Sequence, residues 1–455
     1  MTTNITKELV QKDKDYIWHP FTQMKDYLSE DNLVIESGDG VYLIDSDGNR
    51  YIDGGSSLWT NLFGHRRKEL DDAIRAQLDK IAHSTMLGLS NVPATLLAEK
   101  LVKISPQGLE KVFFSDNGST AVEVALKMAF LYWAHKGVGG KTKFISFTNA
   151  YHGDTIGAVS VGGISLFHGL FRPLLTDVNF VTAPYCYRCP FDKEEKSCDM
   201  YCVKSLEDTI VEHHKETAAL IIEPIVQGAG GIITAPKGYL KRVRELCTEH
   251  DILMIADEVA VGFGRTGTMF GCDNEGVSPD IMAVAKGLSG GYLPISATLT
   301  TDEVFGAFLG EYSEFKSLFH GHTFTGNQLG ASVALATLNI FEKEDVINGL
   351  QPKIEYLSEL LEQFKEHPHV GDVRQRGFIA AIELVKDKES KEGFSTDEKI
   401  GARVIEHARK LGLIIRPLSN VIVIMPPYII TDEELNRMVC IIRESIDFVM
   451  GECCK

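Results

Sequence analysis

Two charged residues that follow short apolar runs are the first side chains in this sequence that could do chemistry. Residues 252–255 are apolar and lead to Asp257, and residues 281–285 are apolar and lead to Lys286. Short apolar runs bounded by turn residues are typical of buried strands in a parallel sheet, and ligands bind outside the carboxyl ends of such strands. The sequence therefore predicts that an acidic and a basic side chain meet at one edge of a sheet.

This pair of residues suits pyridoxal phosphate. That cofactor needs a lysine amine with which to form a Schiff base, and a carboxylate at its ring nitrogen so that the protonated pyridine can accept electrons. Two charged residues that only cap core strands would produce the same pattern. From Asp257 and Lys286 alone, both interpretations stay open.

Further segments resemble those of the class III aminotransferases, which share the aspartate-aminotransferase fold. The segments are IWHPFTQM (17–24), SSLW (56–59), SDNGSTAVEVALKMA (115–129), NAYHGDT (149–155), IIEPIVQGAGG (221–231), HGHTFTGNQLG (320–330), IIRP (414–417) and MPPYII (425–430). Within that family, the chain is most similar to the enzymes that aminate 8-amino-7-oxononanoate to 7,8-diaminononanoate in biotin synthesis. The resemblance implies a pyridoxal-phosphate-dependent transamination of small-molecule substrates.

Three residues carry the chemistry that the resemblance implies. Asp257 pairs with the pyridine nitrogen, Tyr151 lies on the cofactor ring, and Lys286 bonds the cofactor and later moves the Cα proton of the substrate. A free lysine, with a pKa near ~10.4, is too basic for that proton transfer at neutral pH, and burial beside a cationic cofactor should lower its pKa. Transamination then uses the neutral amine as an acid–base catalyst.

The phosphate of the cofactor is expected at the start of a helix. Residues 117–119 lie between a predicted strand, 111–114, and a predicted helix, 120–136. Backbone N–H groups at a helix N-terminus bind phosphate, although an ordinary Ser N-cap would give the same sequence. The cofactor contacts that the resemblance implies, besides the three residues above, are Gly118, Ser119, Glu223, His322 and Thr323. In the family, the equivalent of Thr323 reaches the phosphate of the neighbouring subunit, which implies a homodimer with shared active sites.

The resemblance also implies a substrate site. Arg416 matches the family arginine that binds a substrate carboxylate, a task suited to its forked guanidinium group. Arg265 could make a second anionic contact, and for either arginine an ordinary ion pair is the alternative. The substrate contacts expected are Phe21, Leu58, Trp59, Tyr151, Lys286, Gly321 and Arg416.

The chain departs from the members that use S-adenosylmethionine as amino donor. Those members read HPY, SSWW and GPT where this chain has Phe21, Leu58 before Trp59, and His322, and they carry a tyrosine where it has Val423. At these positions, the chain resembles the members that use lysine as donor. The sequence therefore predicts L-lysine as the donor, with S-adenosylmethionine a poorer one.

The elements that must position these residues predict an α/β protein. Strand and helix patterns alternate from residue 110 to 300, which predicts a mostly parallel sheet covered on both faces. The fold expected is fold type I of the pyridoxal-phosphate-dependent transferases. Its large domain, 61–340, holds a mostly parallel seven-stranded sheet, and its small α+β domain comes from both chain ends, 1–60 and 341–455. Within the C-terminal part, the patterns predict helices at 328–343 and 354–367 and strands at 372–384 and 421–424.

Composition excludes several classes of partner. The chain has 455 residues, and its 46 basic and 63 acidic residues leave a net charge of −17, which argues against nucleic acid and anionic membranes. No run approaches the roughly 18 apolar residues of a membrane span, and the N-terminus lacks the apolar core of a signal peptide. A cytoplasmic location is expected.

Four of the nine cysteines lie close together in sequence and form what we call the cysteine cluster. Its members are Cys186, Cys189, Cys198 and Cys202. Their spacing matches a zinc site only loosely, because the second pair is separated by three residues and the linker is short. Reduced thiols in a surface excursion, with no metal, are expected.

Two other interpretations remain at this point. The chain could be another class III enzyme, such as an ω-amino-acid aminotransferase or an aminomutase. It could also be a non-catalytic scaffold that binds a metal or a nucleotide, since GFGRTG (262–267) formally matches the dinucleotide fingerprint. That fingerprint needs a helix to open on it, and the residues that follow have no helical period.

Overall fold

The apolar runs of the sequence become the strands of one central sheet and three smaller ones. The structure, a computed structural model, describes residues 3–453. Its strands are β1 Ile35–Asp39, β2 Tyr42–Asp45, β3 Arg50–Asp53, β4 Leu109–Ser115, β5 Lys143–Phe147, β6 Val178–Val181, β7 Thr217–Ile222, β8 Val226–Gln227, β9 Ile233–Thr234, β10 Leu253–Asp257, β11 Ile281–Val284, β12 Ser296–Thr301, β13 Val370–Arg376, β14 Ile379–Leu384, β15 Leu413–Ile414, β16 Pro417–Leu418 and β17 Val421–Ile424.

The helices cover the sheets. They are α1 Asn4–Tyr16, α2 Met24–Tyr27, α3 Ser56–Trp59, α4 Lys68–Leu78, α5 Val92–Ile104, α6 Gly118–His135, α7 Ile156–Ser160, α8 Ser165–His168, α9 Cys202–His213, α10 Tyr239–Glu249, α11 Asp302–Gly306, α12 Gln328–Lys343, α13 Val346–Lys365, α14 Ile400–Lys410 and α15 Asp432–Cys453. Short 3-10 turns add Gly169–Leu174, Gly271–Glu275, Lys286–Ser289, Tyr312–Glu314 and Thr396–Glu398. In the described part of the chain, no helix is both long and apolar enough to cross a membrane.

The central sheet has seven strands in the order β4-β12-β11-β10-β7-β5-β6. Its strands are parallel except for β12, which runs antiparallel to both of its neighbours. This agrees with the mostly parallel seven-stranded sheet predicted for fold type I. In the register of β10 and β11, Asp257 lies opposite Ala283, so Lys286 emerges three residues later at the same edge.

The sheet is buried on both faces, because successive strand residues point to opposite sides. In β10, Leu253 and Ile255 pack with the helix α6 side, whereas Met254 and Ala256 pack into the larger core on the other side. Strands of this kind need apolar residues at every position rather than at alternate ones. That requirement explains why β10 and β11 read as continuous apolar runs.

Two smaller sheets join the ends of the chain to the centre. The first has the order β1-β2-β3-β15, in which β15 pairs in parallel with β3, so residues near 52 and 413 are neighbours. The second has the order β13-β14-β17-β16. Arg374 in β13 is buried and donates hydrogen bonds to the carbonyl oxygens of Gly231 and Ile232. It also donates to Asp372 and Glu383, so one guanidinium group ties this sheet to the loop after β8.

Residues 56–59 form a left-handed helical turn that no pattern predicts. The φ angles of Ser56, Ser57, Leu58 and Trp59 are 47, 48, 72 and 69°. A left-handed helical residue with a side chain costs about 1–2 kcal/mol, so local preference opposes this turn at every position. Tertiary contacts must therefore impose it.

Two predicted elements of the C-terminal part need correction. Residues 372–384, predicted as one strand, lie in a hairpin of β13 and β14, because the chain reverses at Gly377, whose φ of 57° suits glycine. The helix predicted at 354–367 begins earlier, at Val346, and includes Pro352. Proline usually marks the start of a helix, which is why the pattern places the start too late.

Candidate active site

A cleft of about 690 Å³ opens at the carboxyl edge of the central sheet. The loops after β4, β5, β7, β10 and β11 all contribute to it. Of the residues predicted to form the site, those that line the cleft are Trp59, Gly118, Ser119, Tyr151, Glu223, Asp257 and Lys286. The fold therefore brings together side chains that are up to 227 residues apart in the sequence, from Trp59 to Lys286.

Lys286 follows β11 and stands in the left-handed region, with φ 45°. Its amine lies inside the cleft, and burial there lowers the pKa of Lys286, while the nearby carboxylates of Asp257 and Glu223 act in the opposite direction. Its Nζ atom lies 5.2 Å from the centre of the Trp59 ring. The residue is thus a lysine that the protein makes easier to deprotonate, which a general base requires.

Asp257 ends β10 and is almost completely buried. Its Oδ2 atom lies 2.7 Å from Nδ1 of His152, and its Oδ1 accepts a hydrogen bond of 3.1 Å from the backbone N–H of Val259. The His152 ring has no exposed side-chain surface. These contacts fix the carboxylate in one orientation inside the cleft.

Tyr151 is anchored at both ends. Its backbone N–H donates to Oε1 of Glu223 at 3.1 Å, and its hydroxyl donates to Oδ2 of Asp154 at 2.6 Å. The other oxygen of Glu223 accepts from the backbone N–H of Gly228 at 2.8 Å. Because Glu223 is fully buried, its pKa is raised to about 7, even though both hydrogen bonds favour the charged form.

The N-terminus of helix α6 points into the cleft. Asn117 is the N-cap, since its side chain accepts from the backbone N–H of Thr120 and the Thr120 hydroxyl returns the contact. A serine is therefore not the N-cap of this helix. Ser119 instead accepts hydrogen bonds from the N–H groups of Asp154 and Thr155. The backbone of Gly118 approaches Val259 so closely that a Cβ atom would lie 2.6 Å from a Val259 methyl group.

Six predicted site residues lie outside the lining of this cleft: Phe21, Leu58, Gly321, His322, Thr323 and Arg416. Phe21 and Arg416 are near its mouth, where the Arg416 guanidinium lies 5.8 Å from the Phe21 ring and the Phe21 ring lies 6.4 Å from that of Tyr151. Leu58 is exposed and directly precedes Trp59, which lines the cleft. Gly321 and Thr323 are exposed. Nδ1 of His322 lies 2.8 Å from Oδ2 of Asp116, although the angle is not that of a hydrogen bond.

Arg265 does not face the cleft as a second anionic contact would. Its side chain is buried, and its two terminal nitrogens donate to the carbonyl oxygens of Pro426 and Asn61 at 2.7 and 3.1 Å. Its guanidinium also lies 4.9 Å from the centre of the Tyr428 ring. Arg265 therefore braces the wall behind the cleft, and its charge helps to lower the pKa of Lys286.

The cysteine cluster lies away from this cleft, in the loop between β6 and α9. Its four thiols are free and half-buried. Burial raises the pKa of Cys186 to about 12 and that of Cys202 to about 11, so both are protonated at neutral pH. Among residues 3–453, the structure has no group of three or more His, Cys, Asp or Glu side chains placed to hold a metal ion.

The residues present fit pyridoxal phosphate. Lys286 offers a buried amine, Asp257 offers an oriented carboxylate for a ring nitrogen, and the start of α6 offers backbone N–H donors beside Gly118, where only glycine leaves room. When bound, the cofactor supplies a protonated pyridine ring that accepts electrons from the bond being broken. If Asp257 and Lys286 only capped their strands, they would have no reason to converge in one cleft.

A buried lysine and a carboxylate at the edge of this sheet, beside a helix N-terminus, define a pyridoxal-phosphate-dependent enzyme. The chain belongs to the class III aminotransferases, whose family model matches residues 27–446. It is an aminotransferase, and its cofactor is pyridoxal phosphate.

Relatives of the chain match it over nearly its whole length. The adenosylmethionine-8-amino-7-oxononanoate aminotransferase of Geobacter sulfurreducens is 56% identical and covers 98% of this chain and 99% of its own. The crystal structure of the enzyme of that name from Methanocaldococcus jannaschii superposes with a TM-score of 0.93 at 51% identity, covering 97% of this chain and 99% of its own. The omega transaminase from Pseudomonas jessenii, solved in complex with PMP, has the same TM-score at 34% identity, with coverage of 97% and 98%.

Two residues in contact with the site were not predicted as part of it. Asp154 accepts a hydrogen bond from the Tyr151 hydroxyl, and the ring of His152 contacts the carboxylate of Asp257. Both lie in NAYHGDT, next to the predicted Tyr151. The signal was present in the motif, but the spacing alone does not tell which neighbour of Tyr151 turns inward.

Proposed function

We propose that this chain transfers an amino group to 8-amino-7-oxononanoate, forming 7,8-diaminononanoate, and that L-lysine is its preferred amino donor. The observation that supports the reaction best is the Lys286–Asp257–His152 arrangement in the cleft of a chain that is 56% identical, over its length, to an enzyme named for this acceptor. The reaction belongs to biotin synthesis, and the chain works in the cytoplasm.

Lys286 is the base in this proposal. With the cofactor bound, its amine would take the proton from the Cα atom of the donor and deliver it to the C4′ atom of the cofactor. Because burial lowers the pKa of Lys286, the amine loses its proton more readily than a free lysine does. Trp59 covers the amine on one side and limits the access of water.

Asp257 and Tyr151 orient the cofactor. Asp257 would keep the ring nitrogen protonated, and His152 prevents the carboxylate from turning away. Tyr151, which Asp154 and Glu223 hold in place, would pack on the ring. Gly118 and Ser119 would hold the phosphate with the N-terminal N–H groups of α6.

The mouth of the cleft selects the substrates. Arg416 is exposed and lies against Phe21, so its fork is free to bind a substrate carboxylate that enters from solvent. Lysine and S-adenosylmethionine both carry that carboxylate, so discrimination must come from the side chains around it. Phe21 lacks a hydroxyl, and Leu58 lacks the large indole found in enzymes that accept the adenosyl donor.

A slim donor suits such a mouth better than a nucleoside does. S-adenosylmethionine needs aromatic and polar partners for its sulfonium and adenine, whereas lysine needs only an acceptor or water for its terminal ammonium. Asp116 and Asp154 line the cleft and supply carboxylates for that ammonium. The proposal therefore departs from the donor in the relatives' names.

A donor screen tests this function. With 8-amino-7-oxononanoate as acceptor and donors at matched concentration, lysine should support formation of 7,8-diaminononanoate and S-adenosylmethionine should do so poorly. The variant Phe21→Tyr with Leu58→Trp should shift the ratio toward S-adenosylmethionine. A preference of the unmodified enzyme for S-adenosylmethionine would refute the donor, and no product with any donor would refute the acceptor.

Two copies of the chain share their sites in this proposal. Gly321, His322 and Thr323 lie outside the lining of their own cleft, and Gly321 and Thr323 are exposed, as expected for residues that reach the cofactor phosphate of a partner. Light scattering should give the mass of a dimer. Mixed dimers of Lys286→Ala and Thr323→Val subunits should then regain one intact site, and no gain over either variant alone would contradict the sharing.

Another class III activity is the second candidate, because the Pseudomonas jessenii omega transaminase has an equally similar fold. To separate the two candidates, a simple amine can be offered as donor with pyruvate as a test acceptor. Activity with pyruvate that exceeds activity with 8-amino-7-oxononanoate would favour it.

A further inference from the structure

The left-handed turn at residues 56–59 forms one wall of the cleft. Trp59 lines the cleft, and its ring lies 5.2 Å from the Lys286 amine. On its other side, Trp59 packs against Gly228, where a Cβ atom would lie 3.2 Å from the indole. The position of the indole therefore depends on a backbone conformation that residues with side chains disfavour.

One buried carboxylate holds this turn. Asp53, at the end of β3, is 1% exposed. Its Oδ1 accepts a 2.8 Å hydrogen bond from the backbone N–H of Ser57, and its Oδ2 accepts one of 2.6 Å from the Ser57 hydroxyl. Nε2 of His65 lies 3.1 Å from the same Oδ2 atom. On the far side of the turn, the Ser56 hydroxyl donates to the carbonyl of Met425 at 2.7 Å.

We infer that Asp53 is a positioning residue, which keeps residues 56–59 left-handed and so sets Trp59 against Lys286 and Leu58 at the mouth of the cleft. Asp53 itself does not line the cleft. It acts by giving Ser57 two hydrogen bonds that are lost if the turn relaxes to an ordinary conformation. The inference depends on the aminotransferase site and not on the donor proposed above.

The matched control is Asp45, a second buried carboxylate of the same small sheet. It accepts hydrogen bonds from the N–H groups of Asp47 and Asn49 and from the Tyr51 hydroxyl, and it has no contact with residues 56–59. The variants Asp53→Ala and Asp45→Ala therefore remove equally buried groups. Only the first releases the turn. Asp53→Asn and Ser57→Ala are milder variants, because Ser57 is exposed and Asn keeps one acceptor.

The first measurement is the tryptophan fluorescence emission of the enzyme without cofactor. Each protein is compared with a second form that also carries Trp59→Phe, and the difference between the two spectra is the emission of Trp59. Loss of the anchor should move Trp59 toward water, with red-shifted emission and stronger quenching by acrylamide in Asp53→Ala. Asp45→Ala should match the parent. The inference is overturned if Trp59 emission is unchanged in Asp53→Ala. If Asp53→Ala does not fold, unchanged emission in both milder variants overturns it.

The second measurement is selectivity, with whichever donor the parent turns over fastest. Displacement of the wall by about 1 Å should lower kcat/KM for that donor by about a hundredfold in Asp53→Ala. At the same time, the rate with a bulky amine such as α-methylbenzylamine should rise relative to that donor. Two outcomes would assign Asp53 a structural role only. One is an equal loss of kcat/KM in Asp45→Ala, and the other is a loss of kcat/KM in Asp53→Ala that is the same for both amines.

Discussion

Glu258 makes the stability of this protein depend on pH in a way that can be calculated from its surroundings. The side chain is completely buried, and its two oxygens accept hydrogen bonds of 2.7 and 2.8 Å from the N–H groups of Gly271 and Cys272. Burial raises the pKa of Glu258, whereas the two hydrogen bonds lower it. The effect of burial is larger, so the pKa rises from 4.5 to about 7.

A carboxyl group with a raised pKa in the folded state keeps its proton more firmly there than in the unfolded chain. Its contribution to stability is therefore complete below pH 4.5 and is lost as the pH rises to about 7. At about 1.4 kcal/mol per pH unit, the loss over this window is about 3 kcal/mol.

The variant Glu258→Gln removes this ionisation. Its amide nitrogen cannot accept a hydrogen bond, so the variant should be less stable than the parent at pH 5. Since only the parent loses stability as Glu258 ionises, the difference in the free energy of unfolding should shrink by about 2 kcal/mol between pH 5 and 7.5. Urea unfolding of the holoenzyme, followed by circular dichroism at several pH values, measures that difference.

Glu389→Gln serves as the control, because Glu389 is exposed and its replacement reports the effect of removing one surface carboxyl group. A difference between parent and Glu258→Gln that stays constant with pH would mean that burial and hydrogen bonds cancel. A difference that grows with pH would mean that the two N–H groups stabilise the carboxylate more than burial destabilises it.

Three other substitutions test the proposed chemistry. Lys286→Ala should lower turnover by roughly a thousandfold or more while circular dichroism stays unchanged, since nucleophile and base are lost together, and a tenth of the parent activity would refute its role. Asp257→Asn should keep the cofactor bound, by its absorbance, but lose most activity, because an amide does not hold a pyridine nitrogen protonated; unchanged turnover would place the carboxylate elsewhere. Replacement of the whole cysteine cluster by Ser should leave turnover intact, and stoichiometric zinc in the native protein by elemental analysis would contradict its dispensability.

Much of the fold was predictable because helix and strand patterns follow burial. The bounds of α12 and β17 match the predicted 328–343 and 421–424, since apolar spacing is regular in both. The left-handed turn at Ser56–Trp59 was not predictable, because local preference opposes it and only distant groups such as Asp53 and Met425 impose it. The hairpin at Gly377 was missed because its turn is very short: β13 and β14 follow each other almost directly, and one glycine reverses the chain between them.

The central residues of the site were predictable for a different reason. Asp257 and Lys286 interrupt apolar runs, and a charge at the end of a buried strand needs a partner or a function. Asp154 and Arg265 carry no such signal. Whether a polar residue in a loop faces the cleft or braces its wall depends on backbone direction, which spacing does not encode.

The contact between Ser56 and Met425 also has a consequence for the synthesis of the protein. These residues are 369 positions apart in the chain, and Arg265 likewise needs the carbonyl of Pro426. At about 5–20 residues per second, a ribosome needs roughly 20–70 s to travel from one residue to the other. During that interval the seven-stranded sheet can already form around Lys286, but the turn that carries Trp59 lacks its contact with Met425. The cleft is therefore one of the last features of the nascent chain to mature, and cofactor should be retained firmly only after the C-terminal segment has emerged.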